Sequence, residues 1–148
     1  MPEVYIGLGS NLGDREWNIR HAVGLLEARI GRQTKLSGLY ETKPSGFRSD
    51  HDFLNAVAAF ETTLSPVELL DITQQIEREL GRTRKSRGGI YHDRTIDIDL
   101  LYMENIRIST PGLTLPHPRA ASRAFVMEPL AEIAPDVAGE IKRSATPA

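Results

Sequence analysis

The sequence predicts an α+β fold, a ferredoxin-like βαββαβ sandwich in which a mainly antiparallel sheet carries helices on both faces. Three observations lead to this class. Strand-like and helix-like segments follow one another in the order βαββαβ, the sequence has no internal repeat, and 148 residues with 40% hydrophobic and 26% charged residues suit a single globular domain, residues 1–148.

The first strand and the first helix flank a glycine-rich turn. Residues 4–8 are an apolar strand that runs into the sequence GLGSNLG, residues 7–13. The last glycine is one position late for a dinucleotide-binding fingerprint, so a tight turn is favoured over a substrate contact. The helix that follows stops at Gly31, and its apolar face consists of Ile19, Val23, Leu26 and Ile30.

Three more strands are predicted from alternating or continuous apolar patterns. They cover residues 35–41, 54–62 and 94–102, and a polar loop over residues 42–52 separates the first two. The last of them turns back through a small hairpin at Glu104-Asn105.

The second helix has the clearest start signal in the chain. Ser65 is an N-cap, Pro66 stands at the first helical position, and Glu68 closes a capping box. Gly81 ends the helix. Near the C-terminus, a short helix at residues 129–133 is expected to cover part of the other sheet face, and residues from about 140 onward are expected to be a frayed tail.

Two carboxylates interrupt an otherwise buried strand. In RTIDIDLL, residues 94–101, Asp97 and Asp99 alternate with apolar residues, so both side chains point to the same sheet face, roughly 6.7 Å apart at the backbone. Like charges on a half-buried face need a cation. The candidates are magnesium, whose ligands are oxygens, or a purely structural salt bridge to Arg94 or its neighbours.

A basic segment precedes these aspartates. It contains Arg82, Arg84, Lys85, Arg87 and Arg94, with His92 nearby. Guanidinium groups suit phosphate oxygens, and carboxylates suit the magnesium that accompanies them, so the segment and Asp97 and Asp99 together predict a nucleotide polyphosphate site. The alternative is a solvated loop.

Composition excludes several functional classes. With zero cysteines the chain has no disulfide, thiolate nucleophile or cysteine-bound zinc, and a formal charge of −2 argues against a general nucleic-acid binder. The chain has neither an apolar run near the ~20 residues that span a membrane nor the basic N-terminal region of a secretory signal peptide. The sequence therefore predicts a cytoplasmic protein with no membrane or nucleic-acid partner. We expect it to be a monomer.

Several motifs in order resemble the 6-hydroxymethyl-7,8-dihydropterin pyrophosphokinase family of folate biosynthesis, over nearly the whole chain. They are GSNLG at residues 9–13, YET at 40–42, FLNA at 53–56, the helix over 65–77, GRTR at 81–84, RTIDID at 94–99, LPH at 115–117 and RAF at 123–125. The resemblance implies transfer of the β,γ-pyrophosphoryl group of the co-substrate ATP to the pterin hydroxymethyl group, with AMP as the other product.

The resemblance also implies a set of residues for each part of the site. Asp97 and Asp99 would hold two Mg²⁺ ions. The catalytic arginines near phosphate would be Arg82, Arg84 and Arg94. Other nucleotide-side positions would be Gln74, Glu77, Ile98, Thr114, His117 and Arg123. Pterin-side positions would be Thr42, Pro44, Ser45, Phe53, Asn55, Tyr91 and Phe125. An amide such as that of Asn55 suits the hydrogen-bonding edge of a pterin, and Phe53 and Phe125 suit its flat faces, although core packing is the alternative for both rings.

The chain departs from the family pattern before the aspartates. Where many members have Arg-Trp-Gly-Pro-Arg, this sequence reads IYHDR at residues 90–94, with about two residues inserted after Lys85. Tyr91 is a candidate for the lid role of the tryptophan, and either Arg87 or His92 replaces the missing arginine. Two other functions stay open from the residues themselves: a small RNA-binding α+β module, and a magnesium-dependent phosphohydrolase with Asp97 as nucleophile.

Overall fold

A five-stranded antiparallel sheet forms the middle layer of the protein, within the part described by the computed structural model, residues 1–43, 51–81 and 95–145. In chain order its strands are β1 (Glu3–Ser10), β2 (Gln33–Leu36), β3 (Tyr40–Thr42), β4 (Phe53–Glu61) and β5 (Asp97–Met103). The strand order is β2-β4-β1-β5, and β3 pairs with β4 beside β2. The predicted fold class is confirmed.

Two helices, α1 (Arg15–Arg29) and α2 (Pro66–Glu79), cover one face of the sheet. The predicted start of α2 is confirmed, because the Ser65 side chain accepts the Glu68 backbone N–H while the Glu68 side chain accepts that of Ser65. The core on this face includes Val4, Ile6, Leu8, Ala56, Ala58, Phe60, Ile19, Leu26, Leu69 and Ile76. Each fully buried large side chain among them contributes about 1.5–3 kcal/mol.

Two further helices, α3 (Ala124–Ile133) and α4 (Pro135–Ala145), lie on the opposite face. They correct the prediction of a short helix at 129–133 and of a frayed tail from about 140. Ile141 of α4 is 1% exposed. Its side chain is buried in the apolar cluster between the sheet and these two helices, which orders α4 through Ala145. No helix in the described ranges is both long and apolar enough to span a membrane.

The predicted strand over residues 35–41 is wrong as a single element, because the chain leaves the ladder between β2 and β3. The Ser37 hydroxyl is buried, donates to the Gly38 carbonyl and accepts the Val57 N–H, which a strand partner's carbonyl would otherwise accept. Glu132 of α3 accepts the Gly38 N–H. Pairing with β4 resumes only at Tyr40.

The chain after β5 makes two small turns. Asn105 has φ +61°, and Met103 pairs with Ile106 across it, which confirms the hairpin predicted at Glu104-Asn105. A second hairpin, which the sequence did not predict, joins β6 (Ile108–Ser109) to β7 (Thr114–Leu115).

Candidate functional site

One row of residues crosses four strands at one end of the sheet. The register places Asp97 of β5 opposite Gly9 of β1, Gly9 opposite Asn55 of β4, and Asn55 opposite Tyr40 of β3. Directly paired residues of antiparallel strands point to the same face. The row therefore brings a carboxylate and an amide, 42 residues apart in sequence, onto one surface on the α3 side of the sheet.

Asp99 belongs to the next row, opposite Gly7. Both aspartates are partly exposed, whereas Ile98 and Leu100 are buried on the α1 and α2 side, so the predicted common face for Asp97 and Asp99 is confirmed. We call the surface formed by Asp97, Asp99, Asn55 and the glycines Gly7 and Gly9 the polar end of this sheet face.

Glycine leaves space for its neighbours in the middle of this row. A Cβ at Gly9 would lie 3.0 Å from Asn55 Oδ1 and 3.6 Å from a ring carbon of Phe53. Because Gly9 has no side chain, Asn55 and Phe53 extend over the β1 backbone. Neighbouring strands lie about 4.8 Å apart, so Asp97 and Asn55 flank a backbone floor about 10 Å wide.

The amide of Asn55 is held in one orientation. Asn55 is 6% exposed, and its Nδ2 donates to Thr42 Oγ1 of β3 at 2.6 Å. The structure thus brings together three predicted pterin-side residues, Thr42, Phe53 and Asn55.

A histidine near Asp97 has two arginines close to it. The backbone N–H of Arg119 donates to Nδ1 of His117 at 3.1 Å, which leaves the imidazole proton on Nε2. Burial is the largest cause that lowers the pKa of His117, and the charges of Arg123 and Arg119 lower it further while Asp97 raises it. His117 is therefore a neutral Nε2–H donor near Asp97 and between two cations.

Phe125 lies beside this group, with the Arg123 guanidinium carbon 5.5 Å from its ring centroid. Phe125 also packs against the cluster under α3 and α4, and it is only partly buried. The ring is therefore shared between the core and the surface near His117. The core-packing alternative holds in part, and contact of Phe125 with a pterin stays a prediction.

The remaining predicted nucleotide-side residues differ in their accessibility. Glu77 is 8% exposed and accepts the Ile98 backbone N–H at 2.7 Å, so it joins α2 to β5. The Ile98 side chain lies in the core. Gln74 is partly exposed on α2, and Thr114 is partly exposed beside the cavity of about 470 Å³ that His117 also lines.

The donor set at the polar end suits a hard cation. Among the described residues, no group of three or more His, Asp or Glu side chains forms a metal cage. Magnesium takes oxygen ligands and usually only one or two carboxylates from protein, with substrate phosphates and water completing its shell. Asp97 and Asp99, partly exposed on one face, fit that requirement.

Several predicted positions lie outside the described residues. They are Pro44, Ser45, Arg82, Arg84, Arg87, Tyr91, His92 and Arg94. Arg119 was not predicted at the site, but its backbone contacts His117. For Gly9 a tight turn was favoured over a substrate contact, whereas the structure places it within β1 beside Asn55. The available signal was the pair of glycines at alternate positions of β1, because they leave one face of that part of the strand without side chains.

Comparisons with known proteins match this chain to one family. The model of the 7,8-dihydro-6-hydroxymethylpterin-pyrophosphokinase family matches residues 5–135. The 2-amino-4-hydroxy-6-hydroxymethyldihydropteridine pyrophosphokinase of Porphyromonas gingivalis is 54% identical over 136 residues, which cover 91% of this chain and 92% of that protein. The enzyme of the same name from Bacillus subtilis is 48% identical, with 97% and 84% covered.

Solved structures share the fold. The crystal structure of Plasmodium falciparum HPPK-DHPS with pteroate matches with a TM-score of 0.71 and 16% identity over 91% of this chain. This chain spans only 39% of that longer one.

Proposed function

The chain belongs to the 7,8-dihydro-6-hydroxymethylpterin-pyrophosphokinase family, and on that basis we propose how its residues carry the reaction. The enzyme transfers the pyrophosphoryl group of ATP to the hydroxymethyl oxygen of 6-hydroxymethyl-7,8-dihydropterin in folate biosynthesis. A bond forms between that oxygen and the β-phosphorus, and the bond from the β-phosphorus to the α,β-bridging oxygen breaks. AMP leaves, and the hydroxyl proton passes to solvent. Family membership decides against the RNA-binding and phosphohydrolase alternatives.

The row Asp97–Gly9–Asn55 is the observation that supports the assignment of roles. It places the backbones of Asp97 and Asn55 about 10 Å apart, on either side of Gly9. A flat bicyclic pterin that binds Asn55 at one edge would then direct its hydroxymethyl group toward the aspartates. Positioning of this kind is the main contribution that a protein makes to phosphoryl transfer.

We assign the pterin half of the site to β3 and β4. Asn55 presents Oδ1 and the remaining Nδ2 hydrogen to the ring edge, while Thr42 prevents the amide from rotating. Phe53 supplies an apolar contact over Gly9. Phe125, Pro44, Ser45 and Tyr91 are proposed to complete this half.

The nucleotide half lies on the side of Asp97 away from Asn55. His117 donates through Nε2 to a ribose or phosphate oxygen, and Arg123 supplies positive charge there. We further propose phosphate contacts from Arg82, Arg84 and Arg94, and nucleotide contacts from Gln74, Glu77 and Thr114. Ile98 would contribute through its backbone, since its side chain is in the core.

Asp97 and Asp99 are proposed to bind two Mg²⁺ ions, which when bound neutralise triphosphate charge and favour in-line attack. The carboxylates themselves define where the triphosphate turns toward the pterin. Without a cation they would repel it, so the pair makes turnover dependent on a divalent ion.

The test is a product analysis. The protein is incubated with ATP, Mg²⁺ and 6-hydroxymethyl-7,8-dihydropterin, and the nucleotides are separated. AMP should appear only when the pterin is present, in equal amount to pterin diphosphate, and chelation of Mg²⁺ should stop it. Formation of ADP or of inorganic phosphate would contradict the assignment.

Two expectations from the sequence stay proposals, a monomeric state and a cytoplasmic location. Light scattering at micromolar concentration tests the first, with a mass of 16.4 kDa expected. Fractionation of the native cells tests the second.

A further inference from the structure

Arg15, in the first turn of α1, contacts two segments that are far from it in sequence. Its Nη1 donates to the Asp52 carbonyl at 3.0 Å, and its Nη2 donates to Glu41 Oε2 at 2.8 Å. Glu41 lies in β3, and Asp52 immediately precedes β4. One planar guanidinium therefore joins the chain just before the β3–β4 connection to the chain just after it.

The segment that Arg15 joins carries the pterin half of the site. β3 has three residues and pairs only with β4 among the described strands. Its Thr42 holds the Asn55 amide, and Phe53 follows Asp52 directly. On its other side, Glu132 of α3 accepts the Tyr40 hydroxyl at 2.6 Å. Arg15 and Glu132 thus fasten β3 from two helices on opposite faces of the sheet.

We propose that Arg15 is a positioning residue for the pterin, acting through Glu41 and Asp52 to align Thr42 and Asn55. This inference rests on the proposed function, because it needs the pterin to bind at Asn55. An exposed ion pair contributes little to stability, and here the side chains are 32% and 57% exposed. The contribution of Arg15 should therefore appear in pterin binding more than in folding.

Two variants remove the contacts of Arg15, a third retains an acceptor for it, and a fourth is the control. Arg15→Ala removes both contacts, Glu41→Ala removes one, and Glu41→Gln keeps an acceptor for the guanidinium. Arg20→Ala is the matched control, because Arg20 is also an arginine of α1 in an ion pair, but its partner Glu16 lies within the same helix. KM for pterin, KM for ATP, kcat and Tm are measured for each.

The expected result is an increase in the pterin KM of about tenfold for Arg15→Ala, a smaller one for Glu41→Ala, and values near wild type for Glu41→Gln and Arg20→Ala. KM for ATP should stay within about twofold in all four. Equal behaviour of Arg15→Ala and Arg20→Ala, or a parallel rise in both KM values with a lowered Tm, would overturn the proposal. An inactive wild-type enzyme would instead refute the proposed function, which separates the two failures.

Discussion

The two ends of the sheet face under α3 are built from the same three strands with opposite chemistry. At the apolar end, Tyr5, Val57, Ala59 and Leu101 are at most 2% exposed beneath α3 and α4. At the polar end, two or four residues away on the same strands, this face instead carries Gly7, Gly9, Asn55, Asp97 and Asp99.

This difference separates stability from function along a single surface. The apolar end excludes water and contributes free energy of folding, so a large side chain there acts through its volume. The polar end has no side chain at Gly7 and Gly9 and keeps the Asp97 and Asp99 carboxylates partly exposed, so its side chains act through charge and direction. Substitutions at the two ends should therefore affect different measurements.

The largest effect is expected for the aspartates. Asp97→Asn and Asp99→Asn should each lower turnover more than ~10³-fold, equivalent to about 4 kcal/mol of transition-state stabilisation, because the divalent ions lose a ligand. The Tm of the ligand-free protein should change little, because both side chains are partly exposed. A variant with a lowered Tm that keeps its activity per folded molecule would indicate a structural role for Asp97 and Asp99 instead.

A matching truncation at the apolar end should do the opposite. Leu130 of α3 is 0% exposed, and Leu130→Ala should lower the free energy of unfolding by about 2–5 kcal/mol in urea titrations. The turnover per folded molecule should stay within about twofold of wild type. Loss of turnover in a Leu130→Ala protein of unchanged stability would contradict the separation of stability and function between the two ends.

Gly9→Ala tests the floor of the polar end. The new Cβ would lie 3.0 Å from Asn55 Oδ1, so the amide must move, and the pterin KM should rise about tenfold with the ATP KM unchanged. Gly24→Ala is the control, because Gly24 lies within α1 and a Cβ there meets nothing within 4 Å. It should stabilise the protein by up to about 1 kcal/mol. A pterin KM that is unchanged in Gly9→Ala would remove Gly9 from the site.

The smallest effect concerns pH. The pKa of His117 lies below its ordinary value of 6.5 in the folded chain, so below that pH the unfolded chain binds a proton that the folded chain does not. Stability should therefore fall as pH drops from about 6.5 through the lowered pKa, and His117→Gln should lose this part of the dependence. Tm measured from pH 5 to 8 without metal or nucleotide shows it, and parallel curves for both proteins would contradict it.

Local sequence patterns were sufficient to predict the elements that depend only on contacts between neighbouring residues. The capping box at Ser65 and Glu68 depends on contacts within one turn, and α2 starts where it predicts. Strand alternation requires only that side chains change face at each residue, so Asp97 and Asp99 share a face as expected. The break after Leu36 could not be predicted, because it depends on Ser37 bonding to Val57 and on Glu132 reaching Gly38.

The sequence by itself was enough to propose the chemical groups of the site, and it determined that the two carboxylates share one sheet face. Only the tertiary structure decided that Asn55 lies in the same row as Asp97, with Gly9 between them, and that Arg15 joins both ends of the β3–β4 connection. The physical reason is that side-chain periodicity is a property of one strand. Strand register and contacts between helices instead depend on how separate segments pack, and a shift of one residue in register would send every side chain of a strand to the other face.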